Sequence, residues 1–556
     1  MKKILSVLLC VSMLLGYGVL AVNAADDELI VNVVTDIHYD KDAQLDTVPV
    51  RNTISETFPH VAEAGKLYSE SEAIIDAFLK KAAADSSEVI LVPGDLADTG
   101  VYQEMIAVAK MFSKFEETTG KQIYVVPGNH DVSQTDVSQF IKVFAEFGYN
   151  EAIAKDSNSG SYVAELPNGY RLLAIDSTLT RSGNWGFDEA RSEWIRQQAE
   201  KAQKDGKKVI AMMHHNLLEH YIFGEKIHSG GMVNYPDFAD LLADNGVKFI
   251  FTGHTHDQDI KEYKSANGNT IYDVVTNTLN AYPCTYREVT FAKDVTFTAK
   301  YVDKIDTALL PAGLSEEAVA LAGSDFTQYT KTAMWTGLRT NFRGYTNAAT
   351  LIKFLKLEGE ENAEMQAIIT KVGDKLSEVV EMPFYKKDAN GGTSLEDIAV
   401  KYGKTLPASS YTDLIDLVIT LYQAHCLGDE SYSASSVEIQ LTTNAIATVL
   451  CYCLEDVSAE EYTAVLKFAA TFAGAEVPDN LLSFAGDSMS RIKGIDLIVS
   501  LVFRPLATEF TTDDAPADNN VTLTGYRELS DFEKFIQSIR DFFQKIMDFF
   551  AKLFAF

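Results

Sequence analysis

Six short apolar runs, separated by longer amphipathic segments, constrain the fold of this chain more than any other feature. They are Leu29–Val34, Val89–Val92, Ile123–Val126, Arg171–Ile175, Lys208–Met213 and Val247–Phe251. Each is rich in Val, Ile, Leu or Phe and shows little alternation, the pattern of strands covered on both faces. Helix-like segments lie between several of them: Glu70–Ala84, Glu104–Thr119, Asp188–Asp205 and Tyr235–Asn245. This alternation predicts a layered α/β domain over residues 25–306. Three further runs, Thr270–Val275, Tyr286–Phe291 and Val295–Val302, read as antiparallel strands that close it.

The polar residues that follow these runs are of one chemical kind. Asp36-Ile37-His38, Gly94-Asp95-Leu96-Ala97-Asp98, Gly128-Asn129-His130-Asp131, His214-His215 and Gly253-His254-Thr255-His256 each stand just beyond a strand-like run. Functional groups of α/β sheets gather at such carboxyl ends. Residues two apart in extended chain share a direction, so Asp36 can act with His38, and His254 with His256. The adjacent pair His214 and His215 can send only one ring to the same point. Imidazole mixed with carboxylate suits Zn, Mn, Fe or Ni rather than calcium. Two metal ions need roughly seven ligands including a bridge; Asp36, His38, Asp95, Asn129, His214, His254 and His256 are that many. Of the ten histidines, only His425 lies beyond position 256, so the chemistry belongs to the first half of the chain.

The order D-x-H, G-D-x-x-D, G-N-H-D, H, G-H-x-H resembles the calcineurin-like metallophosphoesterase family over roughly residues 30–260. The resemblance implies a four-layer αββα sandwich with a binuclear metal centre. It implies that Asp36, His38 and His256 hold one metal ion, that Asn129, His214 and His254 hold the other, and that Asp95 bridges. His214 is preferred to His215 because the family's ligand is the first residue of its H-H-P-like motif; here Asn216 stands in place of the proline. His130 is expected to stabilise phosphoryl oxygens or protonate the leaving group, with Asp98 orienting it. Purple acid phosphatases carry a metal-binding Tyr where this chain has Asp98, and the G-N-H-E pattern of 5′-nucleotidases is absent. The Gly94–Gly100 run instead looks like that of bacterial cyclic-nucleotide and glycerophosphodiester phosphodiesterases. The expected reaction is hydrolysis of a small phosphodiester by a hydroxide bridging two divalent or trivalent metal ions (Mn, Fe, Zn or Ni). Alternatives are a phosphomonoesterase of the same fold, or a surface interaction protein with a vestigial metal site. His60, His215 and His228 are candidates to line a substrate pocket. Arg51, His60 and Tyr68 fall in a connection too long for a simple loop, which reads as a lid or a surface loop.

The remainder of the chain carries no such cluster. With 556 residues, more than one domain is expected. Residues 307–510 take helical spacing, with capping boxes Ser394-x-x-Asp397 and Ser458-x-x-Glu461. Residues 511–525 are polar and read as a linker. Residues 526–556 read as an amphipathic helix opened by Ser530-x-x-Glu533. From Ser530 onward it balances four acidic against four basic residues, which favours docking on the body or self-association over membrane contact. Lys2, Lys3, the apolar Ile4–Val22 and Val22-Asn23-Ala24 make residues 1–24 a signal peptide, hence export to the cell envelope or beyond. A net charge of −31 repels nucleic acid. Cys284, Cys426, Cys451 and Cys453 are too few for a disulfide framework and are expected as buried thiols, with one bridge as the alternative.

Overall fold

In the computed structural model, the structure describes residues 28–40, 65–178, 187–220, 236–344, 346–475, 481–509, 511–513 and 515–526. The expected signal peptide, Arg51, His60, His228 and nearly all of the expected C-terminal helix lie outside the described residues.

Two mixed sheets pack face to face. The first contains β1 (Leu29–Val33), β2 (Val89–Pro93), β3 (Gln122–Val126), β11 (Thr285–Phe291), β12 (Asp294–Tyr301) and β13 (Asn520–Thr524), in the order β13-β12-β11-β1-β2-β3. The second contains β4 (Ala154–Lys155), β5 (Tyr162–Glu165), β6 (Tyr170–Ala174), β7 (Lys208–Met212), β8 (Val247–Thr252), β9 (Asp259–Lys264) and β10 (Thr270–Val275). Its order is β4-β5-β6-β7-β8-β10-β9. Helices α1 (Ser71–Ala84) and α2 (Tyr102–Thr119) share one apolar cluster with the first sheet and with the inner face of the second. Helices α4 (Glu189–Lys204) and α5 (Asp237–Asp244) cover the outer face of the second sheet; α3 is the short Val137–Val143. The strand period separates the two sides: Leu172, Ile210, Phe249 and Phe251 enter the inner cluster, while Leu173, Ala211 and Ile250 enter the outer one. Phe249 bridges the sheets, its ring 5.5 Å from that of Phe297. The domain is thus the expected four-layer α/β sandwich.

Two expectations are corrected. Thr270–Val275 does not join the closing antiparallel strands of the first sheet. It pairs in parallel with β8 and antiparallel with β9, in the second sheet. Its apolar run, buried almost throughout, suits an interior strand, and the polar alternation of Asp259–Lys264 supplies the edge outside it. The segment expected as a linker ends in strand β13, paired antiparallel with β12 from Asn520↔Thr298 to Thr524↔Asp294. Its polar lead-in is structural. The Asp518 carboxylate accepts the Ile260 amide at 3.0 Å and the Asp429 amide at 3.1 Å, while Asn519 donates to the Leu427 carbonyl at 2.7 Å. Those polar residues satisfy buried backbone groups rather than meet solvent.

Helices follow from Glu316 to Glu509: α6 (Glu316–Ser324), α7 (Phe326–Gly344), α8 (Ala348–Phe354), α9 (Ala363–Val379), α10 (Leu395–Lys401), α11 (Leu414–Leu427), α12 (Val437–Cys453), α13 (Ala459–Phe472), α14 (Ser488–Ile498) and α15 (Arg504–Glu509). Both capping boxes form, at Ser394/Asp397 and Ser458/Glu461. The four described cysteines are buried free thiols. Among the described residues no helix is long and apolar enough to cross a membrane.

The helical region is not a separate bead. Phe326, Tyr329 and Ala333 of α7 belong to the inner core of the sandwich, and Met334, Leu338, Ile415 and Ile419 enclose Ala281 and Tyr282. The end of α11 makes a polar junction with the sandwich. His425 Nε2 lies 2.9 Å from Asp257 Oδ1 and its Nδ1 2.7 Å from Glu430 Oε1. The Cys426 carbonyl accepts Asn277 Nδ2 at 2.8 Å. Burial opposes the charge on His425, but the two carboxylates outweigh it and raise its pKa to about 10. A group raised in the folded state above its unfolded value of about 6.5 stabilises fully below that pH, and the contribution disappears as pH rises toward 10. The urea midpoint should therefore fall between pH 6.5 and 10, and His425→Gln should flatten that slope. His425→Ala should cost about 3 kcal/mol at pH 6, since it strands two buried carboxylates; an unchanged midpoint and slope would show that the junction contributes nothing.

Candidate metal centre

The five polar motifs meet at one end of the paired sheets, each on the loop leaving β1, β2, β3, β7 or β8. The first two loops continue the parallel pairing of their strands: Asp36 N donates to Gly94 O (3.2 Å), His38 N to Asp95 O (3.0 Å) and Tyr39 N to Leu96 O (3.0 Å). Asp131 ties the second loop to the third, its carboxylate accepting the amides of Ala97 and Gly128, each at 2.9 Å. Burial and the neighbouring Asp95 push Asp131 up to about 7.

Five of the seven expected ligands sit in left-handed backbone: Asp36 (φ 51°), His38 (φ 44°), Asp95 (φ 53°), His254 (φ 71°) and His256 (φ 61°). Such conformations cost on the order of 1 kcal/mol each and persist only where the surroundings over-determine them. Here Thr278 Oγ1 donates to the Asp36 carbonyl at 2.6 Å and Asn280 Nδ2 to the His38 carbonyl at 2.9 Å. These two residues, on the loop leaving β10, were not singled out by the sequence. Their one signal was a polar Thr276–Asn280 run after an apolar strand.

The side chains converge in two groups. In the first, His256 Nε2 is 3.2 Å from Asp36 Oδ1 and 3.1 Å from His38 Nε2. In the second, Asn129 Oδ1 is 2.9 Å from His214 Nε2 and 3.0 Å from His254 Nδ1. Asp95 stands between them, its Oδ2 3.8 Å from His38 Nε2 and 3.2 Å from His214 Nε2. Its other oxygen accepts the His130 amide at 2.9 Å, which fixes the carboxylate plane. Asp36 likewise turns Oδ2 to the His254 amide (3.0 Å) and Thr35 Oγ1 (2.8 Å), leaving Oδ1 inward. His214 Nδ1 donates to the Pro93 carbonyl at 2.9 Å, so Nε2 is the inward nitrogen.

The electrostatics suit cations. Burial opposes ionisation of Asp36 and Asp95. Even so, His256 and His38 hold Asp36, and His214 and His38 hold Asp95, well below the usual carboxylate range. His214 is raised to about 9 against burial by Asp95 and Asp36, whereas burial lowers His256 to about 4. The donors are oxygen and imidazole nitrogen, gathered with three sets of ligating atoms lying within 4.8 Å of one another: Asp36/His38/His256, His38/Asp95/His130 and Asp36/Asp95/His214. This donor set fits two borderline divalent ions. The loops leave no spare room around it. A Cβ on Gly128 would come within 2.2 Å of Asp95 Oδ1, and one on Gly253 within 2.3 Å of Asp36 Oδ2.

His130 stands at the rim, its side chain 35% exposed and its ring 4.7 Å from that of His38. The expected orienting role of Asp98 is divided. Its backbone carbonyl accepts His130 Nδ1 at 2.5 Å, while its carboxylate lies nearer His38 Nδ1 (3.2 Å) than His130 Nδ1 (3.6 Å). His215, expected against substrate, is only 1% exposed. Its Nδ1 meets Ser177 Oγ at 2.9 Å and its ring backs His254 at 4.4 Å, so it is packed behind a ligand. Asn216 explains the missing proline: its Nδ2 donates to Thr252 Oγ1 (3.1 Å) and the Gly253 carbonyl (2.9 Å), joining the fourth loop to the fifth. His220 lies away from the pocket, its Nδ1 2.6 Å from Asp259 Oδ2 and its Nε2 3.0 Å from Asp273 Oδ2.

Gly128→Ala should displace Asp95 while leaving the helical content intact by circular dichroism. The expected effect is weaker metal retention and a loss of turnover on the order of 10²-fold; wild-type metal content and rate would show that the loop has slack.

Among curated proteins none matches the chain. Solved structures similar to it include a dimetal phosphatase from Danio rerio, 11% identical, covering 49% of this chain and 96% of that one with a TM-score of 0.35. A purple acid phosphatase from yellow lupin (Lupinus luteus) seeds is 12% identical, covering 50% of this chain and 52% of that one with a TM-score of 0.32. The profile described as calcineurin-like phosphoesterase matches residues 30–258, the stretch that contributes every residue of the two ligand groups. Residues 30–258 of this chain therefore belong to the calcineurin-like phosphoesterase family.

Proposed function

We propose that the protein is an exported phosphodiesterase acting on a small phosphate diester with two metal ions drawn from Mn, Fe, Zn or Ni. The observation that carries this reading is the convergence of seven donors into two groups that share the Asp95 carboxylate. Bound there, two such ions supply a water of lowered pKa and a clamp for phosphoryl oxygens. The protein's own part is to hold the donors rigid and to place His130. With Nδ1 anchored on the Asp98 carbonyl, His130 turns Nε2 toward the open rim, where it can hydrogen-bond a phosphoryl oxygen or the departing alkoxide. Diester preference is supported by the Gly94–Gly100 run, which looks like that of bacterial phosphodiesterases, and by Asp98 in place of a tyrosine. Export is supported by the basic, apolar and small-residue order of residues 1–24.

The test is turnover by protein loaded in turn with Mn, Zn, Fe or Ni, on bis(4-nitrophenyl) phosphate and on 4-nitrophenyl phosphate. Metal-dependent hydrolysis with the diester favoured is expected, and monoester preference would overturn the diester assignment. Asp95→Ala should lose both bound metal and turnover. A metal-loaded, fully active Asp95→Ala protein would overturn the bridging role.

A further inference from the structure

One cation stands beside the ligand groups without belonging to them. Lys66 is 8% exposed. Its Nζ lies 3.2 Å from His38 Nε2, 3.4 Å from His38 Nδ1 and 3.6 Å from Asp98 Oδ1. Near-equal distances to the two ring nitrogens place it off the in-plane lone pair of Nε2, so that nitrogen keeps its direction toward the first ligand group. The backbone on either side is anchored. Gly65, at φ +76°, is pressed against α7, where an added Cβ would come within 2.7 Å of Met334 Cα. The Leu67 amide donates at 2.8 Å to the carbonyl of Asn280, whose side chain also holds the His38 loop.

Electrostatics give this placement a meaning. A buried ammonium beside a site built for two metal ions is repelled by its intended occupants, and burial adds a desolvation cost. Among the described residues Asp98 is its sole carboxylate within 4 Å, and Asp98 already lies beside His38 and His130. The other contact of Lys66 is the His38 ring, met off the in-plane lone pair of Nε2, so among the described residues one long ion pair is the only charged contact of an ammonium with three donors. Lys66 Nζ and His130 Nδ1 each lie 3.6 Å from the same oxygen of Asp98, which brings Lys66 close to the rim where His130 stands. An anion arriving between them would relieve the repulsion and complete the hydrogen bonding.

We propose that Lys66 binds a non-bridging oxygen of the substrate's phosphoryl group, alongside His130, and is a catalytic residue of this site. This rests on the phosphoesterase reading and names the group that receives the substrate's charge. A charge-assisted hydrogen bond in such a place is worth about 10- to 100-fold in affinity.

The test is calorimetric titration of orthophosphate into Mn-loaded wild-type, Lys66→Met and Lys66→Arg full-length protein, with metal content and thermal midpoint measured on each. Lys66→Met should keep its metal and midpoint, bind orthophosphate about 10- to 100-fold more weakly, and lose kcat/KM on bis(4-nitrophenyl) phosphate by a similar factor. Lys66→Arg should restore most of both. Unaltered orthophosphate affinity in a metal-loaded Lys66→Met protein would overturn the proposal, and so would loss of metal, which would make Lys66 a prop for His38 and Asp98. Because orthophosphate binding needs no turnover, a wild-type protein that holds metal and hydrolyses neither ester would sink the proposed activity and still leave this comparison decisive.

Discussion

The centre depends on backbone held where backbone does not rest. Five of the seven residues that gather around Asp95 adopt positive φ, and all five are Asp or His, not glycine. Left-handed aspartate and histidine are tolerated better than branched residues, yet each still needs an external constraint. Hydrogen bonds from Thr278 and Asn280 provide it for the first loop, and Asp131 splints the second to the third. Rigidity here is what allows carboxylates and imidazoles to be kept close before any cation arrives, as a site preorganised for charge requires.

Much of this was legible in the sequence because it follows from two periodicities and one rule of sheet topology. Apolar runs fixed where strands lie, and polar motifs after them fixed which loops carry donors. What stayed hidden depended on long-range pairing. Thr278 and Asn280 act through contacts 242 residues away in each case, and no local pattern distinguishes them from loop residues. Lys66 is a lone lysine in a polar stretch. β13 was concealed because its approach, Thr511–Asn519, has the composition of a linker while its polar groups serve buried amides. His215 was expected to line a substrate pocket, but as the neighbour of His214 in extended chain its ring turns the other way and packs behind His254.

The helical region was read as a second domain with no readable chemistry, and it contributes no donor to the two ligand groups. Its role is in how the loops are held. The end of α11 touches Asp257, one residue after His256, and Asn277, one residue before Thr278. The Asn277 amide in turn donates to Gln258 Oε1 at 3.1 Å. The loop carrying His256 and the loop that holds the Asp36 and His38 carbonyls are thus braced from the same point on a distant helix.

Strand β13 has a consequence for where the chain can be cut. Every residue of the two ligand groups lies between Asp36 and His256. Here the sheet that carries β1 is extended by residues 520–524, and Asp518 just before them caps the Ile260 amide and receives Arg287 on its carbonyl. The buried guanidinium of Arg287 has Val275, Thr276 and Asp518 as acceptors, so one of its partners lies 231 residues further along the chain. The polar core of the sandwich is therefore completed only by a strand that follows the whole helical region, so cutting the chain before that region would leave the Arg287 guanidinium short of an acceptor.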